Sequence, residues 1–366
     1  MKVNDSCWCH SGKKYKNCHR DREREKPTPP GQLRALVQKA FLENKTCFHP
    51  EAPAGCGKVI HAHSLQRSGI IKRLSGSDNH VRSFYPMEID GAGALKRHPV
   101  GLRKASAFYG FCESHDAPLF SAIENEPFSG STKQVLLVGY RALCHELYQK
   151  QAAIDAEPIL AEHLDRGRPE IEQRAIQRDL AVQSSSRRVG LEELKAIKQT
   201  YDQMLLSEDY SVLSRAVFWF RDNLFVVGTG TVYVDFDLAN NRLQNVARDP
   251  SPIHGFTYGV VAMPEGCAFV ATWPIEFWKC DQFFRSLNDQ PAELVASVLI
   301  EFFFAYVENT YFSEAWWLSL PSQNAKRLSE LAGNPNQYGS PLNYSGMKHV
   351  ELELIRHEFG QSLSTI

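Results

Sequence analysis

Cys7, Cys9, Cys18 and His19 fall within one short basic run, "SCWCHSGKKYKNCHR" at residues 6–20. Zinc takes four such thiolate and imidazole ligands in a tetrahedron. A Cys-x-Cys pair grips a metal from a tight turn, "SGKK" brings the chain back, and the adjacent Cys18 and His19 close the shell. No position is left for water, so the chemistry expected here is structural. His10 competes with His19 for the nitrogen position. A second set lies in "TCFHPEAPAGCGKVIHAHSLQ" from residue 46 and "GFCESHD" from residue 110, where Cys47 and Cys56 are joined by a Cys112-x-x-His115 pair at a predicted helix start. The eight residues between Cys47 and Cys56 exceed the usual two to four, which leaves His49 as a rival ligand.

Reactive side chains sit beside this second set. His61 and His63 alternate along a predicted strand, "KVIHAHSL", and so share one face. Asn79 lies in "SGSDNHVRSF", and Asp116 follows His115 directly. An imidazole near its own pKa takes a proton from water at neutral pH. A carboxylate holds a hard cation that neutralises phosphate charge. His61 and His63 are alternative bases here, and both also stand as alternative zinc ligands or as caps of the hairpin. Glu124, two helical turns beyond Asp116, is an ordinary exposed glutamate or a second metal ligand.

The charge distribution points the same way. Residues 1–116 hold 20 Lys+Arg against 11 Asp+Glu, a net of +9; against the chain totals of 41 and 42, the remainder carries 21 and 31, a net of −10. Six of nine cysteines and eight of thirteen histidines also fall in that first third, which argues for metal sites over disulfides. Two zinc ions on six thiolates lower the net charge of the first part to about +7, so it stays basic. A polyanion is therefore the expected partner, with Arg67, Lys72, Arg73, Arg82, Arg103 and Lys104 placed to neutralise phosphates and Phe84 and Tyr85 to pack or stack. The alternative is attraction between the two halves of the chain. Cys144, Cys267 and Cys280 sit in apolar surroundings and read as buried thiols. No apolar run reaches the length of a membrane span, and the N-terminus lacks the apolar core of a signal peptide, so a cytoplasmic protein is expected.

These residues must be positioned by an α+β chain. Residues 20–30, "RDREREKPTPP", read as a solvated linker, and 31–45 as an amphipathic helix. Residues 131–210 are helical in pattern, with an expected break near "SSSRRVG". From 213 aromatic and β-branched residues alternate, as in "AVFWFRDNLFVVGTGTVYVDF", predicting an antiparallel sheet; helices follow, the last near 348–360. Four segments result: a zinc module at 1–27, a metal-organised domain at 31–130, a helical arm at 131–210 and an α+β domain at 211–366.

The stretch "CHSGKKYKNCH" with its paired cysteines at 7 and 9 resembles the SEC-C motif, the zinc module at the end of the preprotein translocase motor ATPase and an appendage of many bacterial proteins. Residue 8, Trp here, is usually Pro in that motif. The resemblance implies a docking module for a ribosome, a protein partner or a surface, with no catalysis. Residues 46–128 resemble the HNH, or ββα-metal, nucleases, whose zinc in many members braces a treble-clef scaffold. That resemblance implies an endonuclease acting on DNA ahead of RNA, with His63 (or His61) as general base, Asn79 orienting it, and His115 or Asp116 holding Mg²⁺ or Mn²⁺. It carries an expected role in bacterial defence. The departures are "HAH" at the base position, Asp116 at the helix position if His115 binds zinc, and a long insertion. The rival reading is a zinc adaptor without catalysis that binds nucleic acid, a ribosome or a protein.

Overall fold

The computed structural model describes residues 1–89, 95–222, 224–306, 309–334 and 339–361, with the side chains of Arg67, 85–89 and Gln361 outside that description. Tyr85, expected to pack or stack, therefore lies outside the described side chains. The chain forms two compact units, each assembled from two stretches: Met1–Thr46 with Leu147–Lys195, and Cys47–Glu146 with Ala196–Ile366.

The first unit holds the N-terminal cysteines, helix α1 (Pro30–Glu43), the end of α4 (Thr132–Asp155), the short α5 (Glu157–His163) and most of α6 (Glu170–Ser207). Pro30 opens α1, where its missing N–H costs nothing. The Tyr148 hydroxyl donates to the Phe41 carbonyl at 2.7 Å and ties the end of α1 to α4. Two expectations are corrected here. The break near "SSSRRVG" is absent, and α6 runs unbroken through it. The polar residues there face a partner: the half-shielded Glu157 carboxylate accepts from Ser184 Oγ at 2.7 Å and from Arg187 and Arg188 at 3.4 and 3.1 Å. Nor is 20–30 a merely solvated linker, because Arg22 is buried and bonded to residues of the α5 end.

The second unit is built on a five-stranded antiparallel sheet, ordered β11 (Leu354–Gln361), β5 (Leu213–Arg221), β9 (Gly266–Pro274), β8 (Gly255–Met263), β7 (Gly230–Tyr233). Central strands β8 and β9 are buried along nearly their whole length, because helices cover both faces of the sheet. On one face Phe256, Tyr258 and Phe269 meet Phe284 of α7 (Trp278–Asn288) and Phe302 and Phe303 of α8 (Ala292–Tyr306). On the other, Val217, Trp219, Ala268 and Val270 pack with Val135 and Val138 of α4. Gly139 lets α4 come close: Tyr201, Thr257 and Thr272 form a buried trio of hydroxyls beneath it. The last amphipathic stretch is a correction. Residues 354–361 form strand β11, edge-paired to β5, with no helix at 348–360. Its alternation serves a sheet edge as readily as a helix face.

A second sheet orders β3 (Leu95–Gly101), β2 (His80–Ile89), β10 (Thr310–Phe312) and β6 (Val226–Gly228), so strands from the first third of the chain join strands from its C-terminal half. The single turn α2 (Lys72–Leu74) precedes β2, and α9 (Glu314–Ser319) and α10 (Ser322–Gly333) follow β10. The last sheet has two strands, β1 (Val59–His63) against β4 (Ala107–Cys112), and α3 (Glu113–Glu124) leaves directly from the end of β4. The fold is thus mixed helix and antiparallel sheet, as the patterning predicts. No helix among the described residues is long and apolar enough to cross a membrane.

Candidate metal centres and the surface beside them

The ligand atoms of Cys7, Cys9, Cys18 and His19 all lie within 4.8 Å of one another, and so do those of Cys47, Cys56, Cys112 and His115. A tetrahedral zinc with Zn–S near 2.3 Å and Zn–N near 2.0–2.1 Å sets ligand edges of about 3.5–3.8 Å. The His115 Nδ1 is 3.6 Å from both Cys47 Sγ and Cys56 Sγ. In the first cluster Cys9 and Cys18 Sγ are 3.5 Å apart, and His19 Nδ1 is 3.2 and 3.1 Å from Cys7 and Cys18 Sγ. No cysteine among the described residues is in a disulfide. Both donor sets, three thiols and one imidazole, fit a closed zinc site.

The rival ligands stay outside these clusters. His10 is exposed with a left-handed backbone, φ 59°. The His49 ring stacks on His115 at 4.0 Å, and burial, with the neighbouring His115, lowers its pKa.

In the first cluster the 3-10 turn Tyr15–Asn17 leads into Cys18. The Cys7 amide donates to the Lys13 carbonyl at 2.9 Å, closing the turn that the spacing implied. Behind the cluster, His19 Nε2 donates to the fully buried Asp165 at 2.9 Å. Sequence reasoning missed Asp165, whose neighbours in "HLDRGRP" give no sign of a metal site.

In the second cluster Cys47 and Cys56 come from the stretch before β1. Cys112 caps α3, and His115 lies in its first turn. The register pairs Val59 with Cys112 and His63 with Ala107, which places His63 at the far end of this two-stranded sheet from Cys112 and His61 between them; the strands are joined by a long insertion and not by the expected hairpin turn. His63 is half-buried and His61 exposed, with ring centroids 5.9 Å apart. His61 also lies over Tyr109, at 5.0 Å, and burial lowers its pKa. Asp116 is half-buried, and its Oδ1 is buried with no hydrogen-bond partner. Burial raises its pKa, with Arg141 opposing the shift and Glu124 adding to it. Glu124 itself is paired with Arg141 and does not stand as a free metal ligand. The Asn79 side chain is exposed, on a left-handed backbone of φ 56°, and makes no hydrogen bond to His63 or His61 among the described residues.

The expected phosphate contacts divide. Lys72, Arg103 and Lys104 are exposed and make no ion pair among the described residues. Arg73 donates to the carbonyls of Met263 and Gly266, at 2.6 and 3.2 Å, and holds the β8–β9 turn. Arg82 bonds Glu314 at 2.6 Å and Asp78 at 3.2 Å. Both are committed within the fold. The Arg67 side chain lies outside the described residues.

Comparison with known proteins adds one identification. Residues 4–21 match the SEC-C motif, over the stretch that holds the first cluster. No curated protein matches the chain, and no solved structure matches it.

Proposed function

We propose that residues 47–124 form an HNH-type site that hydrolyses nucleic-acid phosphodiesters, braced by the zinc of the second cluster. The supporting order is a ligand pair, a strand ending in His63, a partner strand, and a helix opening with the second ligand pair. The observation that carries the reading is Asp116 Oδ1, buried and without a partner in the turn that follows His115. A buried acceptor left unsatisfied costs on the order of 1–3 kcal/mol, a cost that a cation or substrate donor would remove.

Asp116 is the residue that would hold Mg²⁺ or Mn²⁺, which supplies charge for the phosphate. His63 takes the proton from the attacking water. His61 is the second base on the same strand. Asn79 is proposed to engage only when substrate is bound, since it makes no hydrogen bond to either histidine. Lys72, Arg103 and Lys104 are exposed cations that would meet the backbone of DNA, or of RNA.

The test is cleavage of labelled DNA and RNA by the zinc-loaded full chain in Mg²⁺, in Mn²⁺ or with no added divalent ion, with no chelator present. Metal-dependent cleavage lost in both Asp116→Asn and His63→Ala is the expected result. A second reading, a zinc adaptor with no catalysis, is favoured by the exposed Asn79 and by the commitment of Arg73 and Arg82. Salt-sensitive binding with no cleavage in any divalent metal would establish it over the first.

A further inference from the structure

The SEC-C stretch is not a loose appendage in the first unit, and the reason is a single carboxylate. Asp165 lies just after α5 and is fully buried. Its Oδ2 accepts from His19 Nε2 at 2.9 Å and from Gln177 Nε2 of α6 at 2.7 Å, and its Oδ1 accepts from Arg22 Nε. With Nε2 donating, the proton of the His19 ring sits away from the cysteines, and Nδ1 offers its lone pair toward Cys7 and Cys18. Carboxylates in this position behind a metal-bound histidine fix the tautomer and raise the basicity of the ligand.

The surrounding contacts tie the same groups to the helices. Arg22 also donates to the Ala161 carbonyl at 3.0 Å, one of the open acceptors at the end of α5. Gly167, at φ +72°, lets the turn after Asp165 press onto residues 25–27: a Cβ there would stand 2.7 Å from the Glu25 carbonyl oxygen. The Gly167 amide donates to the Arg22 carbonyl at 3.0 Å. Trp8, between the first two ligands, lies tilted at 43° against the His19 ring, with centroids 4.3 Å apart, and is covered by the Arg174 guanidinium of α6 at 4.6 Å.

We infer that Asp165 is a positioning residue for the N-terminal zinc site, and that zinc bound there fastens residues 1–28 to α5 and to the first turns of α6. The contact spans 146 residues of chain, so the site acts as a cross-link within the first unit. Loss of the metal releases both partners together: the N-terminal stretch loses its organising centre, and Asp165 loses one of its three donors.

The test uses the full chain and reads each cluster separately, by zinc competition with a chromophoric chelator and by alkylation of individual cysteines mapped by mass spectrometry. In Asp165→Ala, zinc affinity at Cys7, Cys9 and Cys18 should fall by about 10–100-fold, with Cys47, Cys56 and Cys112 still protected. Asp165→Asn keeps one acceptor oxygen and should fall between Ala and wild type, and its cobalt-substituted first site should show shifted ligand-field bands. Unchanged affinity in both variants overturns the assignment, and so does equal loss of protection at both clusters. A measurement without any change at Asp165 guards against misfolding of those variants. In Cys18→Ser, hydrogen exchange should rise in residues 157–180 and stay at the wild-type level in strands β5, β8 and β9. Unchanged exchange in 157–180 refutes the cross-link.

Discussion

His145 lies beneath the candidate site and predicts an acid sensitivity that can be isolated. Its ring is fully buried on α4, edge-on to Phe108 of β4 at 5.0 Å, and Asn309 Nδ2 donates to its Nδ1 at 2.7 Å. Burial pushes its pKa down to about 3. In the unfolded chain the same ring titrates at about 6.5. The folded state therefore binds fewer protons than the unfolded state between those two values. The stabilisation is complete above the unfolded pKa and is lost as pH falls through the window below it. The slope is about 1.4 kcal/mol per pH unit for this one group, or roughly 2 kcal/mol between pH 7 and pH 5. The assay is urea unfolding at several pH values of wild type and of His145→Gln, which keeps an acceptor for Asn309 and does not titrate. Acid also weakens zinc binding, but it does so in both proteins, so the difference between their slopes reports His145. Stability of the Gln variant should fall about 2 kcal/mol less over that range. Parallel slopes would refute the reasoning.

Two further outcomes follow from single contacts. In Gly139→Ala the new methyl would overlap Thr272 Oγ1 and sit 2.5 Å from Thr257 Oγ1; overpacking of about 1–3 kcal/mol outweighs a helix-propensity gain of up to about 1 kcal/mol. A lowered urea midpoint is expected, and a raised one contradicts the close approach of α4. If Arg103 and Lys104 contact phosphates, their joint replacement by Ala reduces the slope of log affinity against log salt by about 1.8 on duplex DNA; an unchanged slope in fluorescence anisotropy removes them from the interface.

Much of the local design is readable in the chain, because cysteine spacing and hydrophobic period are local signals. Both ligand sets, the strand carrying His61 and His63, and the helix after Cys112 fall where spacing and pattern place them. What escapes is what depends on partners distant in sequence. Asp165 is invisible as the support of His19, since the two are brought together only by folding. The polar stretch at 184–190 reads as a break until Glu157 is seen to hold it. Arg73 and Arg82 look like phosphate ligands until Met263, Gly266 and Glu314 claim them. Residues 354–361 carry a pattern that fits either a helix or an edge strand, and the open edge of β5 decides it. The pairing of β2 with β10 has no local signature at all.

The two closed clusters carry every other part of this reading, and they are tested most directly by the metal content and coordination of the purified chain. Native mass spectrometry with X-ray absorption should find two zinc ions per chain, each with three sulfur ligands and one nitrogen, falling to one in Cys112→Ser. One ion or none in the intact protein, or nitrogen and oxygen ligands in place of sulfur, would contradict the account.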